Sequence, residues 1–118
     1  MSRLACVVDD DDGVRKTIAL NLREMGFDTV EVADGRRVAD VLSRHPVDVL
    51  LVDMIMPDKD GIEVIRDARE AWPNLRIVAV SGGGAIGADL YLNLASHVGA
   101  DACLSKPFSD ATLRAAVG

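Results

Sequence analysis

The sequence predicts an α/β fold: a single domain in which a doubly wound sheet of five parallel strands is covered by helices on both faces. Short apolar runs rich in β-branched residues alternate with amphipathic stretches, which is the pattern of repeated βα units. Most of these runs are apolar throughout, as expected for strands that are buried on both faces. The length of 118 residues suits one domain with one continuous core.

Each of the five predicted strands is followed by a predicted helix. The predicted strands are Leu4–Val8, Thr29–Val32, Val47–Val52, Arg76–Val80 and Ala102–Leu104. The predicted helices are Gly13–Met25, Gly35–Arg44, Gly61–Trp72, Ala88–Val98 and Asp110–Val117. We expect Asp12 to cap the first helix and Gly26 to end it, and Pro73 to end the third.

Apolar residues recur at helical spacing in every predicted helix and define its buried face. The residues expected inside are Val14, Ile18, Leu22 and Met25 in the first helix, Val38, Val41 and Leu42 in the second, Ile62, Ile65 and Ala68 in the third, and Leu113, Ala116 and Val117 in the short fifth. The fourth helix has more apolar surface than one core-facing stripe needs, including Tyr91, Leu92 and Leu94. Part of this surface is therefore predicted to meet a partner.

Composition and charge exclude several classes of function. The formal net charge of −6 argues against direct nucleic-acid binding, which depends on clustered Lys and Arg. No apolar run approaches the about 20 residues that cross a bilayer, so no membrane association is predicted and the chain is expected to be cytoplasmic. In that reducing compartment Cys6 and Cys103 are expected to be thiols. His45 and His97 lack the further ligands of a zinc site.

Chemically active side chains follow four of the predicted strands. Asp9 and Asp10 come after the first strand, Asp53 after the third, Ser81 after the fourth and Lys106 after the fifth. The carboxyl ends of the strands in an open parallel sheet are where such groups meet a ligand. Clustered carboxylates repel one another unless a cation is present, and oxygen ligands with open coordination positions suit Mg²⁺. Phosphoryl transfer would then use Asp53 as nucleophile, Lys106 as a fixed cation and Ser81 as a hydroxyl donor.

The order and spacing of these residues resemble those of the receiver domains of bacterial two-component response regulators, of the chemotaxis-receiver type. The resemblance covers almost the whole chain and is carried by Val7–Asp10, Val52–Gly61, Val80–Ser81 and Ser105–Phe108. It implies a flavodoxin-like (βα)5 fold with strand order 2-1-3-4-5, and one receiver domain over residues 1–118.

The resemblance also implies a role for each matched residue. Asp10 and Asp53 would bind Mg²⁺ directly (Mn²⁺ could substitute), Asp9 would hold it partly through water, and the backbone carbonyl of Ile55 would be a further ligand. Asp53 would become the aspartyl phosphate, with Ser81 and Lys106 each contacting a phosphoryl oxygen. A cis peptide bond is expected before Pro107.

A phosphorylation-dependent signalling switch is the function that follows. The phosphoryl donor would be a sensor histidine kinase or a histidine phosphotransfer protein, and the chain would catalyse its own phosphorylation and dephosphorylation without being a turnover enzyme. The output surface would comprise the fourth helix, fifth strand and fifth helix, through which a homodimer could also form. Neither the cognate kinase nor the downstream target is identified by the sequence.

The sequence departs from the family pattern at two places in the predicted switch region. Cys103 occupies a position where many receivers have Tyr or Phe, so the usual coupling of hydroxyl and aromatic ring cannot operate there. The segment 81–87 is glycine-rich, with Gly82, Gly83 and Gly84, and is expected to rearrange on phosphorylation and shift the fourth helix. The last helix is also shorter than is usual in this family.

Three competing functions are less consistent with the sequence. A hydrolase or phosphotransferase of the haloacid dehalogenase type expects a second Asp two residues after the nucleophile, where this chain has Ile55. A pseudo-receiver would not need the complete set of acidic, hydroxyl and lysine residues. Gly82, Gly84 and Gly87 match a dinucleotide-binding fingerprint, but after the fourth strand rather than the first. Because Ile55 cannot position an attacking water, a long-lived phosphoryl group is predicted.

Overall fold

Five parallel strands form one sheet in the order β2-β1-β3-β4-β5. The computed structural model describes residues 2–82 and 88–118, with the backbone alone described for 88–92. The strands are β1 (Leu4–Val8), β2 (Asp28–Val32), β3 (Val49–Asp53), β4 (Arg76–Gly82) and β5 (Ala102–Lys106). The predicted fold class and strand order are therefore confirmed.

Five helices alternate with these strands. They are α1 (Asp12–Glu24), α2 (Val38–Arg44), α3 (Gly61–Ala71), α4 (Ala88–Val98) and α5 (Asp110–Val117), and a 3₁₀ turn at Gly35–Arg37 precedes α2. None of the helices within the described ranges is both long and apolar enough to cross a bilayer.

The sheet separates two apolar layers because alternate residues of each strand point to opposite faces. On one face α2, α3 and α4 cover a layer that includes Cys6, Val8, Leu50 and Ile77. On the other face α1 and α5 cover a layer that includes Ala5, Val7, Leu51 and Val78. The all-apolar strands follow from this double coverage.

One local prediction about the first helix is wrong. The N-cap of α1 is Asp11, not Asp12, since the Asp11 side chain accepts a hydrogen bond from the backbone N–H of Val14. Asp12 is instead the first helical residue and forms an ion pair with Arg15. In α3, Ile62 is partly buried and packs against the core as expected, and Val64, which was not predicted, is also buried.

Candidate functional site

The acidic side chains lie where the sheet register places the carboxyl ends of β1 and β3 together. Val8 is aligned with Val52, so Asp9 and Asp53, the next residues, are neighbours across the sheet. Carboxylate oxygens of Asp9, Asp10 and Asp53 all lie within 4.8 Å of one another. The sheet therefore brings together three of the predicted site residues.

Asp9 is held by hydrogen bonds to its backbone N–H and to both of its carboxylate oxygens. It is 2% exposed. Its backbone N–H donates to the carbonyl of Val32 at 3.1 Å, and its Oδ1 accepts from the backbone N–H of Asp11 at 2.9 Å. Its Oδ2 accepts from Nζ of Lys106 at 3.0 Å. The carboxylate is therefore fixed in position.

Lys106 spans the gap between β5 and the acidic cluster. Its Nζ lies 3.0 Å from Asp9 Oδ2 and 3.9 Å from Asp53 Oδ2, although 97 residues separate it from Asp9 in the sequence. The peptide bond between Lys106 and Pro107 is cis, as expected. The ammonium is placed to neutralise part of the negative charge of the cluster.

The environment of Asp53 favours its protonated form. Burial raises the pKa of Asp53 to about 6, and the negative charges of Asp9 and Asp10 act in the same direction. The ammonium of Lys106 and the backbone N–H of Ile55, which lies 3.4 Å from Asp53 Oδ1, lower the pKa but only in part offset this effect. A cation bound at the cluster would instead lower the pKa of Asp53 and favour the ionised carboxylate.

The donor set fits a small, hard divalent cation. Oxygens that share one Mg²⁺ lie at most about 4.2 Å apart, twice a bond length of about 2.1 Å. The three carboxylates need to contract only slightly from their spacing of up to 4.8 Å to meet this geometry. Asp10 is exposed, which leaves one side of the cluster open to solvent. Water and a phosphate oxygen could therefore complete the coordination of the ion.

Ser81 lies on the strand next to Asp53. Val80 is aligned with Asp53 in the sheet, and Ser81 follows it at the end of β4. The side chain is fully buried, and within the described part of the chain its Oγ has no hydrogen-bond partner. A buried hydroxyl of this kind is costly unless something bonds to it. A buried hydroxyl without a partner is expected where the group forms its hydrogen bond to a ligand.

The predicted switch residues lie partly outside the site. Gly83 and Gly84 lie outside the described residues, as do the side chains of Tyr91 and Leu92, while Gly82 is aligned with Lys106 and partly buried. Cys103 is aligned with Ala79 and points toward α4, its Sγ 3.5 Å from the Oγ of Ser96.

Arg15 is a buried residue near the site that sequence analysis missed. The buried polar or charged residues among those described are Asp9, Arg15, Asp53 and Ser81. Three of the four were predicted from their position after a strand, whereas Arg15 lies on α1. Its one sequence signal is a cation in the first turns of a helix, where the helix dipole disfavours positive charge.

Comparison with known proteins agrees with the fold and the site. Residues 5–118 match the family of response regulator receiver domains. The chain therefore belongs to the response regulator receiver domain family, whose members are signalling switches controlled by phosphorylation rather than turnover enzymes. Receiver domains bind Mg²⁺ at an acidic pocket, which is the kind of pocket formed here by Asp9, Asp10 and Asp53.

Three solved structures illustrate the similarity. FixJ-N is 26% identical, with a TM-score of 0.87, and the match covers 99% of this chain and 91% of that one. A receiver domain protein from Clostridium thermocellum is 23% identical, with a TM-score of 0.88 and coverage of 98% and 90%. A Burkholderia pseudomallei response regulator with a phosphorylated aspartic acid and a calcium ion is 21% identical, with a TM-score of 0.87 and coverage of 99% and 67%. The last two similarities support the fold alone.

Proposed function

We propose that residues 1–118 form one receiver domain that takes a phosphoryl group onto Asp53 in a Mg²⁺-dependent reaction. The observation that carries this proposal is the cluster of three carboxylates within 4.8 Å of one another, with the Lys106 ammonium 3.9 Å from Asp53. Asp9, Asp10 and Asp53, with the backbone carbonyl of Ile55, would hold the ion. Mn²⁺ could replace it, because both ions accept oxygen ligands.

The donor in this proposal is a phosphohistidine on a sensor histidine kinase or a phosphotransfer protein. A carboxylate oxygen of Asp53 forms a bond to phosphorus while the bond from phosphorus to the donor imidazole breaks, and the imidazole takes up a proton. Bound Mg²⁺ would supply positive charge to the phosphoryl oxygens. Lys106 would pair with one phosphoryl oxygen and the Ser81 hydroxyl would donate to another, which gives the unbonded Oγ a partner.

The phosphorylated state would change the surface formed by α4, β5 and α5 and so control partner binding, including binding of a second copy. Leu94, which is 44% exposed on α4, provides apolar area for such a contact. The Cys103 thiol faces α4 at Ser96, so a shift of α4 would change the contact between Cys103 and Ser96.

Ile55 is expected to make the phosphoryl group long-lived. Its side chain is 54% exposed beside Asp53 and has no polar group to orient an attacking water. Replacement by Asn is expected to shorten the lifetime severalfold, measured as decay of the phosphorylated mass after the donor is removed. Decay of the unaltered protein within seconds would contradict the expectation.

The proposed function is tested by incubating the protein with acetyl phosphate and measuring its intact mass. With Mg²⁺ present, we expect an increase equal to one phosphoryl group, and no increase with a chelator or in the Asp53→Asn variant. Continuous release of phosphate from varied organic phosphates would instead indicate a hydrolase. Phosphorylation that is unaffected by the variant would contradict the assignment of Asp53.

A further inference from the structure

Arg15 connects three segments that meet beside the acidic cluster. It is 7% exposed. Its Nη1 donates to the backbone carbonyl of Asp9 at 3.0 Å, its Nη2 to Oδ1 of Asp12 at 2.6 Å, and its Nε to Oε1 of Glu31 at 3.2 Å. One guanidinium thus joins the end of β1, the start of α1 and the edge strand β2.

The contact with the Asp9 carbonyl bears directly on Asp10. The carbonyl of Asp9 and the N–H of Asp10 belong to the same planar peptide unit. A hydrogen bond that fixes this carbonyl therefore fixes the orientation from which the Asp10 side chain departs. Asp10 is exposed, so packing does little to hold it. Arg15 therefore restrains the peptide plane between the two aspartates, together with the hydrogen bond from the Asp11 N–H to Asp9 Oδ1 that spans Asp10.

The charge of Arg15 is balanced away from the cluster. A cation close to a metal site would weaken metal binding by repulsion. The carboxylates of Asp12 and Glu31 pair with the guanidinium at 2.6 and 3.2 Å, and Lys16 lies 3.8 Å from the same Glu31 oxygen. These two carboxylates offset the charge of the guanidinium, which reduces its repulsion of a cation bound nearby.

We propose that Arg15 is a positioning residue which, by holding the Asp9 carbonyl, orients Asp9 and Asp10 for cation binding. This inference rests on the proposed Mg²⁺ site. Arginine suits the task because its planar fork reaches the carbonyl and two carboxylates at once, whereas a lysine ammonium on its flexible stem cannot reproduce that arrangement. Residues that support metal ligands in this way typically contribute about 10- to 100-fold to metal affinity.

The test compares Arg15→Gln and Arg15→Lys by titration with Mg²⁺ alone, followed through the amide resonances of Asp10 and Ile55. Both variants are expected to bind Mg²⁺ about tenfold more weakly than the unaltered protein. Asp12→Asn, which removes one partner of the guanidinium but leaves the contact with the Asp9 carbonyl, is expected to have a smaller effect. Thermal unfolding is measured for every variant.

Arg69 provides a matched control for a purely structural role. It is also a partly buried arginine that donates to backbone carbonyls, those of Pro73, Leu75 and Gly99, but near the amino ends of the strands, away from the cluster. Arg69→Gln is expected to lower the unfolding temperature and to leave Mg²⁺ affinity unchanged. Comparison of the Arg15 and Arg69 variants therefore distinguishes a loss of stability from a loss of ligand positioning.

Each result has a defined meaning. Weaker binding in both Arg15 variants, with normal binding in Arg69→Gln, supports the inference. Normal affinity in Arg15→Lys would show that charge alone is required, and tighter binding in Arg15→Gln would show that Arg15 acts by repulsion; either overturns it. If Mg²⁺ affinity falls together with the unfolding temperature in both the Arg15 and the Arg69 variants, loss of stability explains the effect and the inference is overturned. Absence of Mg²⁺ binding in the unaltered protein would instead refute the proposed function on which the inference rests.

Discussion

At the scale of single residues, the site combines buried charge with an unbonded hydroxyl. Asp9 and Asp53 are largely buried, and Lys106 forms ion pairs with both carboxylates. Burying like charges destabilises a fold unless a counter-ion is present. Without a bound cation, the buried carboxylates of Asp9 and Asp53 are therefore expected to reduce the stability of the fold.

Replacement of Asp53 by Asn is expected to stabilise the metal-free protein near neutral pH. The pKa of Asp53 is raised to about 6 in the folded state. The native protein therefore binds this proton more tightly than the unfolded chain, so the free energy of unfolding falls as the pH rises from about 4 to about 6, by at most about 3 kcal/mol because solvent screens part of the charge. Because Asn does not ionise, the Asp53→Asn variant does not lose this part of the free energy of unfolding.

Urea unfolding with a chelator at about pH 4 and about pH 7 measures the effect. The variant should exceed the unaltered protein in stability at the higher pH only, and Mg²⁺ should reduce the difference by stabilising the ionised carboxylate. An equal difference at both pH values would show that the Asp53 charge is not its cause.

Replacement of Ser81 by Ala should separate stability from chemistry. Because the Oγ of Ser81 has no partner among the described residues, its removal should leave the free energy of unfolding unchanged or raise it by about 1 kcal/mol. Phosphorylation by acetyl phosphate should slow by at least about tenfold, since a donor to a phosphoryl oxygen is lost. Ser105→Ala, at the aligned position of β5, is the control and should retain the normal rate.

At the scale of secondary-structure elements, the site depends on the close approach of α3 to the end of β3. A Cβ atom on Gly61, the first residue of α3, would lie 2.5 Å from the backbone oxygen of Asp53 and 2.7 Å from Cα of Met54. The backbone N–H of Gly61 also donates to the Met54 carbonyl at 3.1 Å. The absence of a side chain at this position allows the helix to pack against the backbone of Asp53 and Met54.

Gly61→Ala is therefore expected to destabilise the protein by about 1–3 kcal/mol and to reduce phosphorylation, because backbone atoms must shift at Asp53. Gly13→Ala is the matched control: its Cβ would lie 3.4 Å from the nearest atom, and alanine favours the helix by up to about 1 kcal/mol. Urea unfolding of both variants measures the difference. Equal stability of the two would contradict the close approach.

Sequence periodicity was sufficient to predict the elements but not all of their ends. The strands and helices lie within a few residues of their predicted bounds because apolar runs mark what is buried. β4 and β5 extend beyond their apolar runs to include Ser81 and Lys106. Because these side chains are polar, the apolar pattern did not indicate that the strands continue to them. Four consecutive aspartates did not show which one caps α1, because each offers the same capping group and only backbone geometry selects Asp11.

The candidate site was predictable where it follows the strands and not elsewhere. Asp9, Asp10, Asp53, Ser81 and Lys106 were predicted because parallel strands deliver their carboxyl ends to one edge. Arg15 was missed because its contact with the Asp9 carbonyl involves the backbone, and backbone partners leave little trace in sequence.

At the scale of the whole molecule, the register of the sheet is what assembles the site from distant segments. β1 pairs with both β2 and β3, so Asp9 follows an interior strand of the sheet. Lys106 reaches the same point from the far edge strand, β5. Any opening of the sheet would therefore disperse the site.

Cys6, in the middle of β1, reports on such opening. It has no exposed surface, and burial raises the pKa of its thiol to about 12. In a Cys103→Ala background, a thiol reagent should modify Cys6 only as fast as the sheet opens, and urea should accelerate the reaction in proportion to global unfolding. Rapid labelling that is insensitive to urea would contradict the protection of Cys6 by the closed sheet.

Asp53 is proposed to accept a phosphoryl group at a site completed by Mg²⁺, and identification of the modified residue is the sharpest test of that role. After treatment with acetyl phosphate, borohydride reduces an aspartyl phosphate to homoserine, which tandem mass spectrometry of peptides can locate. We predict homoserine at position 53 when Mg²⁺ is present and none when a chelator replaces it. Homoserine at another aspartate, or at position 53 without any divalent cation, would contradict the account.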